Sequence, residues 1–480
     1  MNHRIIAQVL SRVMFLQAAL MLPCILVAFH YRESAFALAI SLLVALAFGA
    51  FLSLFKPKRT DLYARDGFVS VSLSWILMSV VGALPFVISG AIPSFFDAFF
   101  ETVSGFTTTG SSIIPNVEHI DKSLLLWRST TQWIGGMGVL VFIMAVLPLS
   151  DHCSIHLMRA EVPGPVFGKV VPKMRTQSAI SYLIYIGLTV LLIIMLVLGK
   201  MPFFDAVNHA LTTASTGGYS TKALSVGHFN SAYIEIVIGV FMLLFGANFS
   251  IYFLMLMRKF KAAFTNTEVL TYIGLAGFAW ITIAINIQRL YGDFATSLRH
   301  SFFQVSSLMT STGFSSVNFD VWPAYSKWML IILMFIGACS SSTGGGIKVS
   351  RMIMIVKGIR QEILKMLNPR STVPVRVNGY TIDKQTVHSA FVFFAIYLIV
   401  TFVAATFVTI DGFDAETSLS AAVACISNIG PGLGAVGPAV NFSGLSDLSK
   451  LILSFTMLIG RLEIFPVFIL FLPRTWRKSL

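Results

Sequence analysis

The sequence predicts an all-α integral membrane protein: ten transmembrane helices, in which four span–pore-helix–span repeats surround a pseudo-fourfold pore and two extra helices precede them. Three observations lead there, namely apolar runs long enough to cross a bilayer, shorter apolar pieces that cannot, and a glycine-containing tetrad that recurs after each short piece. Of 480 residues, 56% are apolar and only 11% charged, with a mean hydropathy of +0.81. Soluble domains carry roughly 25% charge, so a soluble globular chain is excluded. The long runs reach the roughly 20 residues that a helix needs to span ~30 Å of hydrocarbon, and no alternating pattern suggests an outer-membrane barrel.

In chain order, spans are expected near 5–30, 35–55, 68–90, 123–149, 177–199, 231–257, 268–289, 324–357, 387–410 and 448–472. The first continues to Ala28 without a small-residue cleavage site, and it reads as a retained span rather than a signal peptide. Shorter apolar pieces near 94–106, 202–214, 294–309 and 414–426 read as re-entrant half-helices. The net charge of +13 is a topological signal. Of the basic residues, 23 fall on one face of the ten-span arrangement, nine on the other, and two, Lys348 and Arg461, within the membrane. The positive-inside rule then makes both termini cytoplasmic and brings all four half-helices in from outside. Because these charges lie at span ends and not along one stripe, nucleic-acid binding is not expected.

Each half-helix leads into a similar tetrad: Thr107-Thr108-Thr109-Gly110, Ser215-Thr216-Gly217-Gly218, Thr310-Ser311-Thr312-Gly313 and Ser427-Asn428-Ile429-Gly430. Their glycines are 108, 95 and 117 residues apart, and an Asp-Ala pair, beginning at Asp97 and Asp205, stands at the same offset before the first two. The units divide the chain into an extra helix pair, 1–67, and repeats at 68–150, 151–260, 261–366 and 367–480. Non-helical backbone at membrane depth is tolerated only when buried in protein or lining a watery path. Four such loops around one axis would offer carbonyl oxygens in place of a monovalent cation's water, with glycine allowing the positive φ this requires. Half-helices whose C-termini point to the bilayer centre add a negative potential that favours a cation.

Two further features lie inside the membrane. Gly344, Gly345 and Gly346 interrupt an apolar span, since each glycine costs a helix about 1 kcal/mol relative to alanine. Ser340, Ser341 and Ser342 beside them need partners at that depth. Arg461 carries a guanidinium into an apolar span at a cost of at least ~2.5–3.5 kcal/mol, which makes it a functional candidate; Glu463, two residues on, points to another helix face and is a poor partner. Glu101 and His209 both precede their tetrad glycines by nine residues and read as buried supports. Cys24, Cys153, Cys339 and Cys425 form no C-x-x-C pair and suggest neither disulfide nor zinc. Asp151, His152, Cys153 and His156 form the most metal-like group, better read as a polar span boundary. Gly432 to Gly437 matches G-x-G-x-x-G without the strand that a dinucleotide site needs.

The fourfold layout, the stretch Phe95 to Gly105 before the first tetrad, Ser342-Thr343-Gly344-Gly345-Gly346-Ile347-Lys348 and the C-terminal Gly460-Arg461-Leu462-Glu463-Ile464-Phe465 resemble the Trk/Ktr/HKT potassium-uptake superfamily, in particular its TrkH/TrkG-like branch, which has two extra N-terminal spans. The resemblance covers nearly the whole chain. It implies potassium uptake through a channel-like pore, not an enzyme, in a homodimer of the bacterial inner membrane, with a cytosolic TrkA-like ring of nucleotide-binding subunits as regulator. K⁺ is then the transported ion, and no bound organic cofactor is expected in this chain. By resemblance the selectivity filter comprises Thr108, Thr109, Gly110, Thr216, Gly217, Gly218, Ser311, Thr312, Gly313, Asn428, Ile429 and Gly430, and the gate Gly344, Gly345, Gly346, Lys348 and Arg461. Repeat 4 departs from the hydroxyl-rich pattern at Asn428 and Ile429. The absence of a two-glycine T-V-G-Y-G filter suggests fewer ion sites and looser selectivity. The alternative is an alternating-access carrier coupling K⁺ or Na⁺ to H⁺ or Na⁺; such carriers favour inverted repeats, whereas these run in one direction.

Overall fold

The computed structural model describes residues 2–55, 64–138, 174–369 and 374–476. The expected metal-like group at Asp151, His152, Cys153 and His156 and the end of the fourth span, 139–149, lie outside the described residues. So do basic residues counted toward topology at 56–59, 159–173, 370 and 477–478. Apart from one two-stranded hairpin, Arg376–Val377 with Tyr380–Thr381, the described secondary structure is helical.

Among the described residues, six helices are long and apolar enough to cross a membrane: His3–Tyr31, Phe36–Ser53, Arg65–Ser89, Ala179–Leu198, Thr267–Tyr291 and Lys384–Thr409. Pro23 and Pro85 sit inside two of them, as membrane helices tolerate when neighbours satisfy the freed carbonyls. The first two pack as an antiparallel pair against repeat 1. Glu33 fastens that pair, its carboxylate accepting from the Lys122 and Ser123 backbone amides at 2.8 and 2.9 Å, where a helix start offers unpaired N–H groups.

The four half-helices are Phe95–Phe106, Phe203–Ala214, Phe294–Met309 and Ala415–Ile426. Three begin at side-chain caps, Ser94, Asp293 and Asp414, each accepting a first-turn amide. Each is followed by a connecting stretch that carries a short helical turn and then by a second, inner helix: Lys122–Gly136, Ala232–Gly246, Ala324–Ile336 and Asp447–Arg461. Three inner spans depart from single straight helices. The second bends by 89° between Ala232–Gly246 and Phe249–Leu256. The third stops at Ile336 and resumes at Val349, so the interruption from Gly337 to Lys348 falls where the glycines predict it. The fourth breaks after Arg461, with Glu463 and Ile464 at φ of 57° and 68°, before Phe465–Phe471.

The candidate permeation site

The four half-helices end identically. Each closes in a Schellman motif: the amides of Thr108, Thr216, Ser311 and Asn428 donate three residues back, and those of Thr109, Gly217, Thr312 and Ile429 donate five back, to Ser104, Thr212, Ser307 and Ala424. The cap residues Thr108, Thr216, Ser311 and Asn428 are left-handed, with φ between 54° and 60°, although none is glycine. Two residues on, Gly110, Gly218, Gly313 and Gly430 are left-handed again, while the residue between is not. Alternating handedness turns successive carbonyls toward the same side, where an all-β stretch would point them alternately.

The loops close a ring. A Cβ on Gly110 would overlap the Gly217 carbonyl oxygen, one on Gly218 that of Thr312, and one on Gly313 that of Ile429. On Gly430 it would stand 3.0 Å from the Thr109 oxygen, which returns the contact to repeat 1. The twelve residues expected to form the filter are thus brought together by backbone approach in the order 1, 2, 3, 4 and back to 1. Above the glycines lies a cavity lined by Gly110, Gly218, Gly313 and Gly430 together with Ser112 and Ser220. Repeat 4 substitutes chemistry for the missing hydroxyls: Asn428 donates from Nδ2 to Thr109 Oγ1 at 2.9 Å and to the Met457 carbonyl at 3.0 Å.

The residue nine before each ring glycine is a strut in three repeats. Glu101 accepts from the Ile113 amide at 2.9 Å and pairs with Arg128 at 2.6 Å, both side chains almost fully buried. His209 reaches Ser220 Oγ at 3.0 Å, and Gln304 donates to the Val317 carbonyl at 3.5 Å. Ala421 holds that place in repeat 4, where Ser420 Oγ instead accepts from the Leu433 amide at 2.9 Å. Arg128 also lies over the Tyr219 ring at 3.4 Å and donates to the Ser220 carbonyl, so this charge braces repeats 1 and 2 behind the ring. Removing one member of a buried pair costs about 3–5 kcal/mol. Glu101→Gln is therefore expected to lower the thermal stability of the purified protein strongly, and Glu101→Gln with Arg128→Met to recover part of the loss; additive losses in this double-mutant cycle would show that the two are not coupled.

The interruption in repeat 3 packs against the ring and touches repeats 2 and 4 directly, and Arg461 of repeat 4 links it to repeat 1. The Gly345 amide donates to Ser311 Oγ at 2.6 Å, and a Cβ on Gly345 would overlap the Ser427 carbonyl. The Cys339 amide donates to the Gly246 carbonyl at 3.0 Å, while the Ser341 carbonyl accepts from Phe249 at 3.1 Å, both at the bend of repeat 2. Arg461 donates to Thr343 O of the loop at 2.8 Å and to Gly135 O and Gly136 O of repeat 1 at 2.6 Å each. Lys348, buried, folds back onto the Gly344 carbonyl.

Sequence reasoning missed two further holds. Glu268, at the start of the Thr267–Tyr291 helix, accepts from the Ser340 amide and hydroxyl at 2.5 and 2.8 Å and from Asn248 Nδ2 at 3.1 Å. Glu463 does not pair with Arg461; it takes Arg351 at 2.6 Å, and Arg351, assigned by sequence to the basic face, is buried against Phe393. A signal was present in the first case, an acidic residue in the first turn of an apolar helix, but nothing in the sequence links Glu463 to a partner 112 positions away. Among the described residues, no group of three His, Cys, Asp or Glu could hold a resident metal ion.

The chain matches the family TrkH, described as cation transport protein, over residues 34–478. It is 34% identical over 487 residues, covering 100% of both chains, to the Trk system potassium uptake protein TrkH of Salmonella typhimurium. Against the Trk system potassium uptake protein TrkG of Escherichia coli it is 34% identical, with 99% of each chain covered. The crystal structure of the potassium transporter TrkH from Vibrio parahaemolyticus superposes with a TM-score of 0.89 at 30% identity, covering 99% of this chain and 100% of that one. Fourfold ring, interrupted third repeat and whole-length similarity agree: the chain is a multi-pass membrane protein of the TrkH family, a family of cation transporters and not of enzymes.

Proposed function

We propose that this protein mediates potassium uptake, K⁺ passing through the ring and losing its water to backbone carbonyls of the twelve tetrad residues from Thr108 to Gly430. The observation that carries this reading is the closed ring itself, with left-handed backbone at the same two positions of every repeat. Four helix C-termini aimed at that ring favour a cation over an anion. The units that build it are repeats at 68–150, 151–260, 261–366 and 367–480, behind the pair at 1–67. The segment from Gly337 to Lys348 acts as an intramembrane plug, with Gly344, Gly345 and Gly346 as its flexible part and Lys348 and Arg461 holding it beneath the ring.

Potassium uptake by the relatives named above supports the choice of ion. The setting we propose is the bacterial inner membrane, with both termini cytoplasmic, a homodimeric assembly, and a cytosolic TrkA-like nucleotide-binding ring that relaxes the plug. The test is flux into proteoliposomes. K⁺ and Rb⁺ are expected to enter purified protein faster than Na⁺ under an imposed voltage, without requiring a pH or Na⁺ gradient. Uptake that collapsed when the pH gradient was removed at constant voltage would instead make the protein a coupled carrier.

A further inference from the structure

A second cavity lies apart from the pore, between the bent inner helix of repeat 2 and the first helix of repeat 3. Val240, Leu244, Met255, Ala263, Tyr272 and Trp280 are among its walls, and it encloses about 460 Å³. It runs along the Thr267–Tyr291 helix from Val269 to Trp280, roughly 16 Å at 1.5 Å per residue. Three of the polar tips around it are already engaged, Tyr252 donating to the Leu244 carbonyl at 2.5 Å, Tyr272 to Leu243 at 3.2 Å and Trp280 to Leu298 at 2.8 Å, which leaves the small Ser306 hydroxyl as the one lining side-chain group without a partner among the described residues. The walls therefore suit a hydrocarbon chain and offer little to a polar solute.

The cavity's lining includes Met255 and Ala263, which flank the turn that carries Arg258, Lys259 and Lys261, all exposed. Among the described residues none of these three takes part in an ion pair. A narrow apolar cavity beginning beside three unpaired cations, at the end of a membrane-spanning helix, is complementary to a lipid with a negative headgroup and a long tail. We infer that this cavity holds an acyl chain of an anionic phospholipid whose phosphate is held by Arg258, Lys259 and Lys261. The wall it would press on is the bend at Gly246 to Phe249, whose backbone receives Cys339 and Ser341 of the interrupted segment, so an occupied cavity would stiffen the seat of that segment.

The experiment is native mass spectrometry on the full-length protein, exchanged into detergent with equal amounts of phosphatidylglycerol and phosphatidylcholine bearing the same acyl chains. The wild type is expected to retain one phosphatidylglycerol per chain with a several-fold preference. Substituting Arg258→Gln, Lys259→Gln and Lys261→Gln together should abolish the preference while leaving one bound lipid. Gly277→Leu should abolish retention of both lipids, because Gly277 lines the cavity and a Cβ there meets nothing within 4 Å, so the larger side chain fills the space without disturbing the fold. Wild-type protein with no headgroup preference would overturn the inference, as would a Gly277→Leu variant that retained phosphatidylglycerol unchanged. A Gly277→Leu variant that lost its dimer while keeping its lipid would overturn it too, by giving the cavity to a second copy of the chain. None of these readouts depends on whether the protein transports potassium.

Discussion

Replacing Gly218 with alanine is expected to abolish cation flux while leaving a folded protein. At φ of +74° an alanine costs about 1–2 kcal/mol in backbone strain. The larger effect is local, since its methyl group would occupy the place of the Thr312 carbonyl oxygen and push apart the contact between repeats 2 and 3. In the proposed permeation path a carbonyl displaced from the ring would no longer replace ion hydration, and a barrier raised by even about 1.4 kcal/mol slows passage about tenfold. Voltage-driven Rb⁺ uptake should therefore fall at least about tenfold. Gly187→Ala is the control: Gly187 lies on a membrane helix with nothing within 4 Å of its Cβ, and flux there should be unchanged. A folded Gly218→Ala protein that transported like the wild type would remove the ring from the permeation path.

The ring was legible in the sequence because its demands fall on composition: the second left-handed position of every loop is a glycine, Gly110, Gly218, Gly313 and Gly430, and the first is a small polar residue, Thr108, Thr216, Ser311 and Asn428, so a polar pair closed by glycine recurs at four places. The interruption at Gly337 to Lys348 was legible for the same reason, three glycines in an apolar span. The bend between Gly246 and Phe249 was not. Its sequence, Leu244-Phe245-Gly246-Ala247-Asn248-Phe249, is nearly as apolar as an unbroken span, and the bend is held by distant partners, Cys339, Ser341 and Glu268. The break after Arg461 is similar, because Ile464 is a residue that ordinarily avoids positive φ and adopts it only where its surroundings enforce it. Charges divided along the same line. That Lys348 and Arg461 lie in the membrane follows from hydropathy, whereas the partners of Glu101, Glu268 and Glu463 follow only from which helices become neighbours.

Arg461→Ala is expected to raise flux in the absence of any regulatory subunit. The guanidinium serves three carbonyls, Thr343 on the interrupted segment and Gly135 and Gly136 on repeat 1, so in the proposed gate it is both a positive charge below the ring and the strap between that segment and the opposite wall. A hydrogen bond to a charged group contributes about 1.5–3 kcal/mol, so losing even the Thr343 contact would shift an equilibrium between seated and displaced plug by roughly tenfold or more. Removing the charge also lowers the electrostatic barrier to a cation, in the same direction. Arg461→Lys separates the two: it keeps the charge but lacks the planar fork that reaches several carbonyls together. If the strap dominates, Arg461→Lys should leak nearly as much as Arg461→Ala, and if the charge dominates it should stay close to wild type. Glu268→Gln tests the strap without altering the pore charge nearest the ring, because it weakens the hold on Ser340 from the other side, and it should likewise raise unregulated flux. Wild-type flux in both Arg461→Ala and Glu268→Gln would mean that the segment beneath the ring is a fixed part of the wall.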